Sequence, residues 1–234
     1  MKNKVLEYNK VEIKLDSDLE IADLSLIVNK GDFIFLIGKT GSGKSSILKS
    51  MYSENKIVKG EAKISNTDLA TIREKDIPFL RRKIGIIFQD FQLLKDRTVY
   101  KNLEFVLNAT GWNNKNEKNE RIKVCLEKVH ISNLSEKYPS QLSGGQKQKV
   151  AIARSLLNEP EIIIADEPTG NLDPKSSLEI MNILQEINQN GNTIVMATHD
   201  FSLLKKYNGR ILRCKDGKID EIHTDELNIE TVYQ

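Results

Sequence analysis

The stretch Gly38-Lys39-Thr40-Gly41-Ser42-Gly43-Lys44-Ser45 places glycines, a lysine and a hydroxyl at the spacing a phosphate-binding loop requires. The glycines let backbone N–H groups converge on an anion, and the helix that follows presents its positive end. Lys44 then supplies a point charge for the β- and γ-phosphates of a nucleotide, Ser45 a ligand for Mg2+, and Ser46 a further polar group beside them. Asp166 and Glu167 form an acidic pair suited to the same chemistry. Asp166 can hold Mg2+ through water, and Glu167 can polarise an attacking water as general base. Gln89 is a candidate to coordinate Mg2+ or that water, and His199, at the carboxyl end of an apolar run, a candidate to touch the γ-phosphate. Leu142-Ser143-Gly144-Gly145-Gln146 stands ahead of the acidic pair and opens a helix whose first amides and Ser143 can meet an anion.

These groups need elements to carry them. Phe33-Ile34-Phe35-Leu36-Ile37 is a continuous apolar run, the mark of a strand buried on both faces, and it feeds straight into the glycine-rich loop. Ile47, Leu48 and Met51 then recur at helical intervals. The runs 84–88, 161–165 and 192–197 read as further buried strands, so the chain alternates strand and helix around a mostly parallel sheet: an α/β fold. From about 99 to 141 the pattern turns helical and more polar, an expected helical subdomain, with 113–118 read as a solvated loop and helix start. Residues 211–219 predict a hairpin turning at Asp216-Gly217, and from His223 onward an acidic tail carries no pattern.

A chain of 234 residues suits one well-buried domain, with or without a small subdomain. Its 35 basic and 33 acidic residues leave a net charge of +2, so bulk electrostatics do not point to nucleic acid, and Arg81-Arg82-Lys83 reads as a solvated face. Cys125 and Cys214 are too few for a disulfide framework or a metal site, and Cys125 falls in an apolar helical pattern that predicts packing. No apolar run approaches the roughly 20 residues of a membrane span, and the first residues lack the core of a secretion signal. Any membrane role is therefore expected to come through a partner, in a reducing cytosol.

The order of GKTGSGKS, Gln89, LSGGQ, IIIADE, Asn171-Leu172-Asp173 and His199 resembles the nucleotide-binding subunit of ATP-binding cassette systems over nearly the whole chain. The resemblance implies a P-loop NTPase of cassette type across 1–234, with an N-terminal antiparallel β part beside the parallel core. It implies an ATPase using Mg2+, with Ser45, Gln89 and Asp166 as metal ligands. It implies a homodimer with two ATP at the interface, each lying between one phosphate loop and the partner chain's signature. Ser143, Gly144, Gly145 and Gln146 would then act in trans, and Asp173 would link the two sites. Residues 166–173 look like the branch holding lipoprotein-release, macrolide-export and cell-division cassettes, and residues 88–102 like the cell-division kind, which pairs with the integral membrane protein FtsX. That places the chain on the cytoplasmic face of the inner membrane, with some of Phe91, Leu93, Leu94 and Tyr100 in a groove for a short partner helix. Chromosome ATPases of the same motifs insert long coiled coils or fuse two cassettes; this chain has neither. One departure stands out: the aromatic residue that stacks on adenine in the family is missing near Lys14, and the nearest, Tyr8, is expected inside a strand unless a local shift frees it.

Overall fold

The computed structural model describes residues 3–14, 21–215 and 217–223. Two antiparallel strands, β1 (Lys4–Ile13) and β2 (Ile21–Asn29), lead into β3 (Phe33–Ile37), the phosphate-loop segment and helix α1 (Lys44–Met51). Strands β4 (Ile57–Ile64) and β5 (Thr67–Asp68) return to the first pair and complete an antiparallel sheet ordered β2-β1-β4-β5. Next come α2 (Ile77–Arg82), β6 (Ile84–Ile87), α3 (Val99–Ala109), α4 (Lys115–Lys128) and α5 (Gly144–Leu156). The chain closes with β7 (Ile162–Asp166), α6 (Pro174–Gln189), β8 (Thr193–Ala197), α7 (Phe201–Lys206), β9 (Arg210–Lys215) and β10 (Lys218–Ile222).

The second sheet runs β10-β9-β3-β8-β7-β6, parallel throughout except for the terminal β9–β10 hairpin. All five residues of β3 are buried, because side chains of alternate residues enter two different cores. Ile34 and Leu36 join α1 (Ile47, Leu48, Met51) and the antiparallel sheet, while Phe33, Phe35 and Ile37 face the apolar sides of α3 to α6. Cys125 packs in this second core, and burial raises its thiol pKa, as expected of a small hydrophobe. Asn114 caps α4 through Asn116 N–H, so the polar run there is a helix start. Asp216 of the expected turn and the tail beyond His223 lie outside the described residues.

Arg81 does more than solvate a face: its guanidinium donates to the carbonyls of Tyr52 and Ser53, tying α2 to the turn after α1. Asn102 on α3 has a comparable task. It is 3% exposed, accepts from Leu94 N–H at 2.8 Å, and donates to the carbonyls of Leu94, Arg97 and Thr98. One side chain thus stands in for the secondary structure that segment 94–98 lacks. Replacing Asn102 by Ala removes the side-chain partner of Leu94 N–H and of the Arg97 carbonyl, while the Thr98 and Leu94 carbonyls keep backbone donors; the expected loss is about 1–3 kcal/mol in urea denaturation, and a change under about 0.5 kcal/mol would show that water replaces the amide.

Candidate functional site

Helices α3, α4, α5, α6 and α7 each begin with a Thr, Asn, Ser or Asp whose side chain accepts a first-turn amide. Helix α1 begins at Gly43, which has no side chain to do so. Its first amides therefore stay open to an external anion. At the other end of the loop, Gly38 has φ 146°, and a Cβ there would lie 2.2 Å from the Cys214 carbonyl oxygen on β9. Only glycine fits that approach. The Cys214 thiol donates to Ser42 O at 2.8 Å, a second tie from β9 to the loop. Lys44, 6% exposed, donates to the carbonyls of Gly38 (2.8 Å) and Lys39 (2.9 Å). Burial lowers its pKa, and the nearby carboxylates of Glu167 and Asp166 work against that.

Asp166 ends β7, and its Oδ1 accepts the Ser45 hydroxyl at 3.1 Å. Burial raises its pKa, with the Ser45 hydrogen bond holding it back in part. Glu167 adopts φ 47°, a strained value for a side-chain-bearing residue. Its amide donates to Ala197 O at 3.1 Å, and its Oε2 lies 3.1 Å from His199 Nδ1. Thr198, 2% exposed, fixes the His199 turn: its amide donates to Leu36 O and its hydroxyl accepts Asp200 N–H. The Gln89 carbonyl accepts from Asn171 at 3.4 Å. The loop residues Gly38, Thr40, Gly41, Gly43, Lys44, Ser45 and Ser46 share one cavity of about 750 Å³ with Gln89, Glu167 and His199. Ser45, Gln89 and Asp166 offer only oxygen ligands, the donor set of a hard cation such as Mg2+ shared with phosphate.

The signature residues are elsewhere. Ser143 caps α5 by accepting Gln146 N–H at 3.2 Å, and Gln146 Oε1 accepts Ser143 N–H at 2.9 Å, a reciprocal box in which Ser143 is exposed and Gln146 half-buried. Asp173 caps α6, and its hydrogen bonds from the Ser176 hydroxyl (2.6 Å) and amide lower its pKa. A Cβ at Gly145 would meet Ser176 Oγ at 2.8 Å, so the starts of α5 and α6 are pressed together. Ser143, Gly144, Gly145, Gln146 and Asp173 form this second patch, and none of them lines the nucleotide-sized cavity.

Some expectations need correcting. Tyr8 is 2% exposed and hydrogen-bonded to Ser50 Oγ at 3.0 Å, so no local shift presents its ring to a base; Lys14 is the exposed residue at the end of β1. Leu93 and Tyr100 are half-buried and pack against the larger core, with the Tyr100 hydroxyl donating to Asn119, while Leu94 is exposed. A groove of about 290 Å³ lies between α2, β6, α3 and α5, with Arg81, Arg82, Phe88, Val106 and Arg154 among its walls. Arg154 and Cys214 were not singled out from sequence as parts of the site. Their contacts are to backbone carbonyls, which leave no trace in residue pattern.

Residues 21–170 match the ABC transporter family. The chain is 45% identical over 196 residues to the cell division ATP-binding protein FtsE of Bacillus subtilis (84% of this chain, 86% of the relative). It is 40% identical over 189 residues to that of Escherichia coli K12 (81% and 85%). Among solved structures, the ATP-binding cassette MJ0796, a dimer in a post-hydrolysis state bound to ADP and Pi, superposes with a TM-score of 0.81 at 33% identity, covering 94% of this chain and 98% of its own. CbiO1 from Clostridium perfringens, part of the ABC transporter complex cbiONQ, gives 0.85 at 30% identity over 94% and 88%.

Because folding raises the pKa of Asp166, its charged form weakens the fold, and that cost appears as pH rises through the raised value. Asp166→Asn keeps an acceptor for Ser45 without the charge. The nucleotide-free variant is expected to melt about 1–4 °C higher at neutral pH, with the gain vanishing in acid. The further stabilisation from Mg2+ with nucleotide should be lost. A melting temperature at or below that of the unmodified chain, read by scanning fluorimetry from pH 4 to 8, would count against a strained carboxylate.

Proposed function

The chain belongs to the ABC transporter family and is an ATPase; from that premise we propose that it drives a membrane complex of cell division, pairing with an FtsX-like integral membrane protein that regulates peptidoglycan hydrolysis. One observation carries the reading. The cavity holds the phosphate loop, Gln89, Glu167 and His199, while the signature and Asp173 lie outside it at the starts of α5 and α6, with Ser143 and Asp173 exposed. Two copies arranged head to tail would complete two such cavities, with Ser143, Gly144, Gly145 and Gln146 of each facing the ATP held at Lys44 of the other. ATP binding closes this dimer and hydrolysis reopens it. The cassette spans 1–234, with its helical subdomain at about 99–141 moving with α5.

In this mechanism the ATP phosphates replace the two loop carbonyls that now hold Lys44, whose ammonium stabilises charge on the β- and γ-phosphates. Glu167 accepts a proton from water as its oxygen attacks the γ-phosphorus, and the bond to the β,γ-bridging oxygen breaks to release ADP and phosphate. His199 moves from Glu167 to the γ-phosphate. Mg2+, held by Ser45, Gln89 and Asp166, would offset the negative charge of the phosphate oxygens. No helix among the described residues is long and apolar enough to cross a membrane. Attachment to the cytoplasmic face goes through the partner in this reading, with Phe88, Val106, Arg81 and Arg82 of the 290 Å³ groove offering an apolar and basic seat for a short helix.

Replacing Glu167 by Gln keeps size and removes the base. Turnover should fall by about 100-fold or more while ATP-dependent dimerisation, followed by size exclusion with and without ATP, persists; undiminished hydrolysis would remove Glu167 from the role. Affinity capture from solubilised membranes tests the partner. Recovery of an FtsX-like protein supports the division reading, and recovery of a lipoprotein-release or macrolide-type permease would replace it with a transport role in the same fold.

A further inference from the structure

Of the chain's seven phenylalanines, Phe79 on α2 and Phe105 on α3 are the two left exposed, at 59% and 46%. They stand on opposite banks of the groove of about 290 Å³, since their neighbours Pro78 and Val106 both line it and they do not. Each ring carries a guanidinium over its face. Arg82 lies 4.9 Å from the Phe79 centroid, and Arg97 lies 4.7 Å from that of Phe105. Leu94, also exposed, adjoins Arg97, whose amide donates to its carbonyl. Charge on these two segments is lopsided. Residues 73–83 and 95–105 hold eight basic and four acidic side chains, against 35 and 33 in the whole chain, so the rest of the molecule is slightly acidic. Three of the four acids are met by cations of their own segment: Asp76 by Arg73, Glu104 by Lys101 and Asp96 by Arg97. The remaining positive charge is available to an outside anion.

We propose that the two banks form a contact surface for an anionic bilayer. The rings of Phe79 and Phe105 enter the headgroup region, and Arg82 and Arg97 leave the ring faces for lipid phosphates. Shape favours this occupant over a second protein segment. The concave groove between the banks suits a helix, whereas separate projecting rings capped by cations suit a fluid surface that closes around each one. Each guanidinium gains from the negative potential of such a surface, and each ring sheds water. Either signal alone is weak, so the contact supplements a protein partner in the groove and sets how the cassette faces the membrane. It rests on the membrane reading above only for the direction in which this face points.

Vesicle sedimentation with the full chain, and no partner present, tests the contact. At low salt, vesicles of about one-third phosphatidylglycerol should retain at least about 5-fold more protein than phosphatidylcholine vesicles, and about 0.5 M salt should erase the difference. Phe79→Ser combined with Phe105→Ser should lower retention about 10-fold, with ATP turnover staying within about 2-fold of the unmodified chain. Arg82→Glu combined with Arg97→Glu should remove the preference for anionic lipid. In Phe79→Trp, tryptophan emission should move to shorter wavelength on anionic vesicles. Trp112, half-buried and bonded to Asn158, gives the unmodified chain no such shift. Equal retention on both vesicle types, full retention of the paired serine variant, or an unshifted Phe79→Trp overturns the contact. Capture of a membrane protein by the unmodified chain but not by the paired serine variant, with neither retained on vesicles, assigns the banks to protein and also overturns it. Retention on anionic vesicles without capture of any partner supports the lipid contact while removing the partner reading.

Discussion

A nearly buried ammonium must be surrounded by oxygen, and much of this structure follows from how that demand is met at Lys44. The loop's own carbonyls, from Gly38 and Lys39, accept from it, and the chain can present them because the loop folds back tightly over β3. That fold-back requires a glycine at 38, pressed against Cys214 of β9, and an uncapped helix start at Gly43. The two strands flanking β3 are thus part of the site: β9 shapes the loop from one side, and β8 leads to the His199 turn on the other. Both cores serve this arrangement, since α1 stays in place by sending Ile47, Leu48 and Met51 between the sheets, each contributing about 1.5–3 kcal/mol of apolar burial.

The same chemistry of helix starts separates the chain into two incomplete halves. An uncapped start seeks an anion, and a capped one does not need it. Helix α1 is of the first kind. Helix α5 is of the second, with Ser143 and Gln146 satisfying each other at the surface. An anion arriving at α5 must therefore compete with a reciprocal pair of hydrogen bonds worth about 1 kcal/mol each. That makes the signature a weak anion site by itself. It becomes useful only where another group, such as a phosphate loop on a second chain, has already fixed the anion.

What a single sequence exposes is what residue type controls. The glycine, lysine and serine spacing at 38–45 was legible because converging amides and a bound phosphate restrict residue choice at each position. The strands were legible because burial on both faces demands unbroken apolar runs, as at 33–37 and 162–165. The pattern Ser143-x-x-Gln146 was equally visible, but it supports a helix cap and an anion site alike, and only coordinates show the cap formed. Contacts to backbone carbonyls leave no such mark. Arg154, Arg81 and Asn102 each hold a segment through main-chain oxygens, and a sequence shows only three polar side chains. The Tyr100 hydroxyl's bond to Asn119 is likewise invisible in the residue pattern.

Some of the chain's left-handed backbone falls beside the cavity. Glu167 and the pair Phe91–Gln92 all take positive φ, and all lie just past a strand of the parallel sheet that points at the cavity. Each is retained by a polar contact that a ligand or a neighbouring element can take over: Glu167 by His199, the pair by Arg154. Strain of roughly 1–3 kcal/mol per residue is comparable to the hydrogen bonds that hold it, so either contact can be exchanged at little net cost. The buried strands behind them, held in the sheet by ladder hydrogen bonds, cannot respond in this way. The sheet therefore serves as the fixed frame, and the residues immediately after β6 and β7 are the parts able to register whether a phosphate is present.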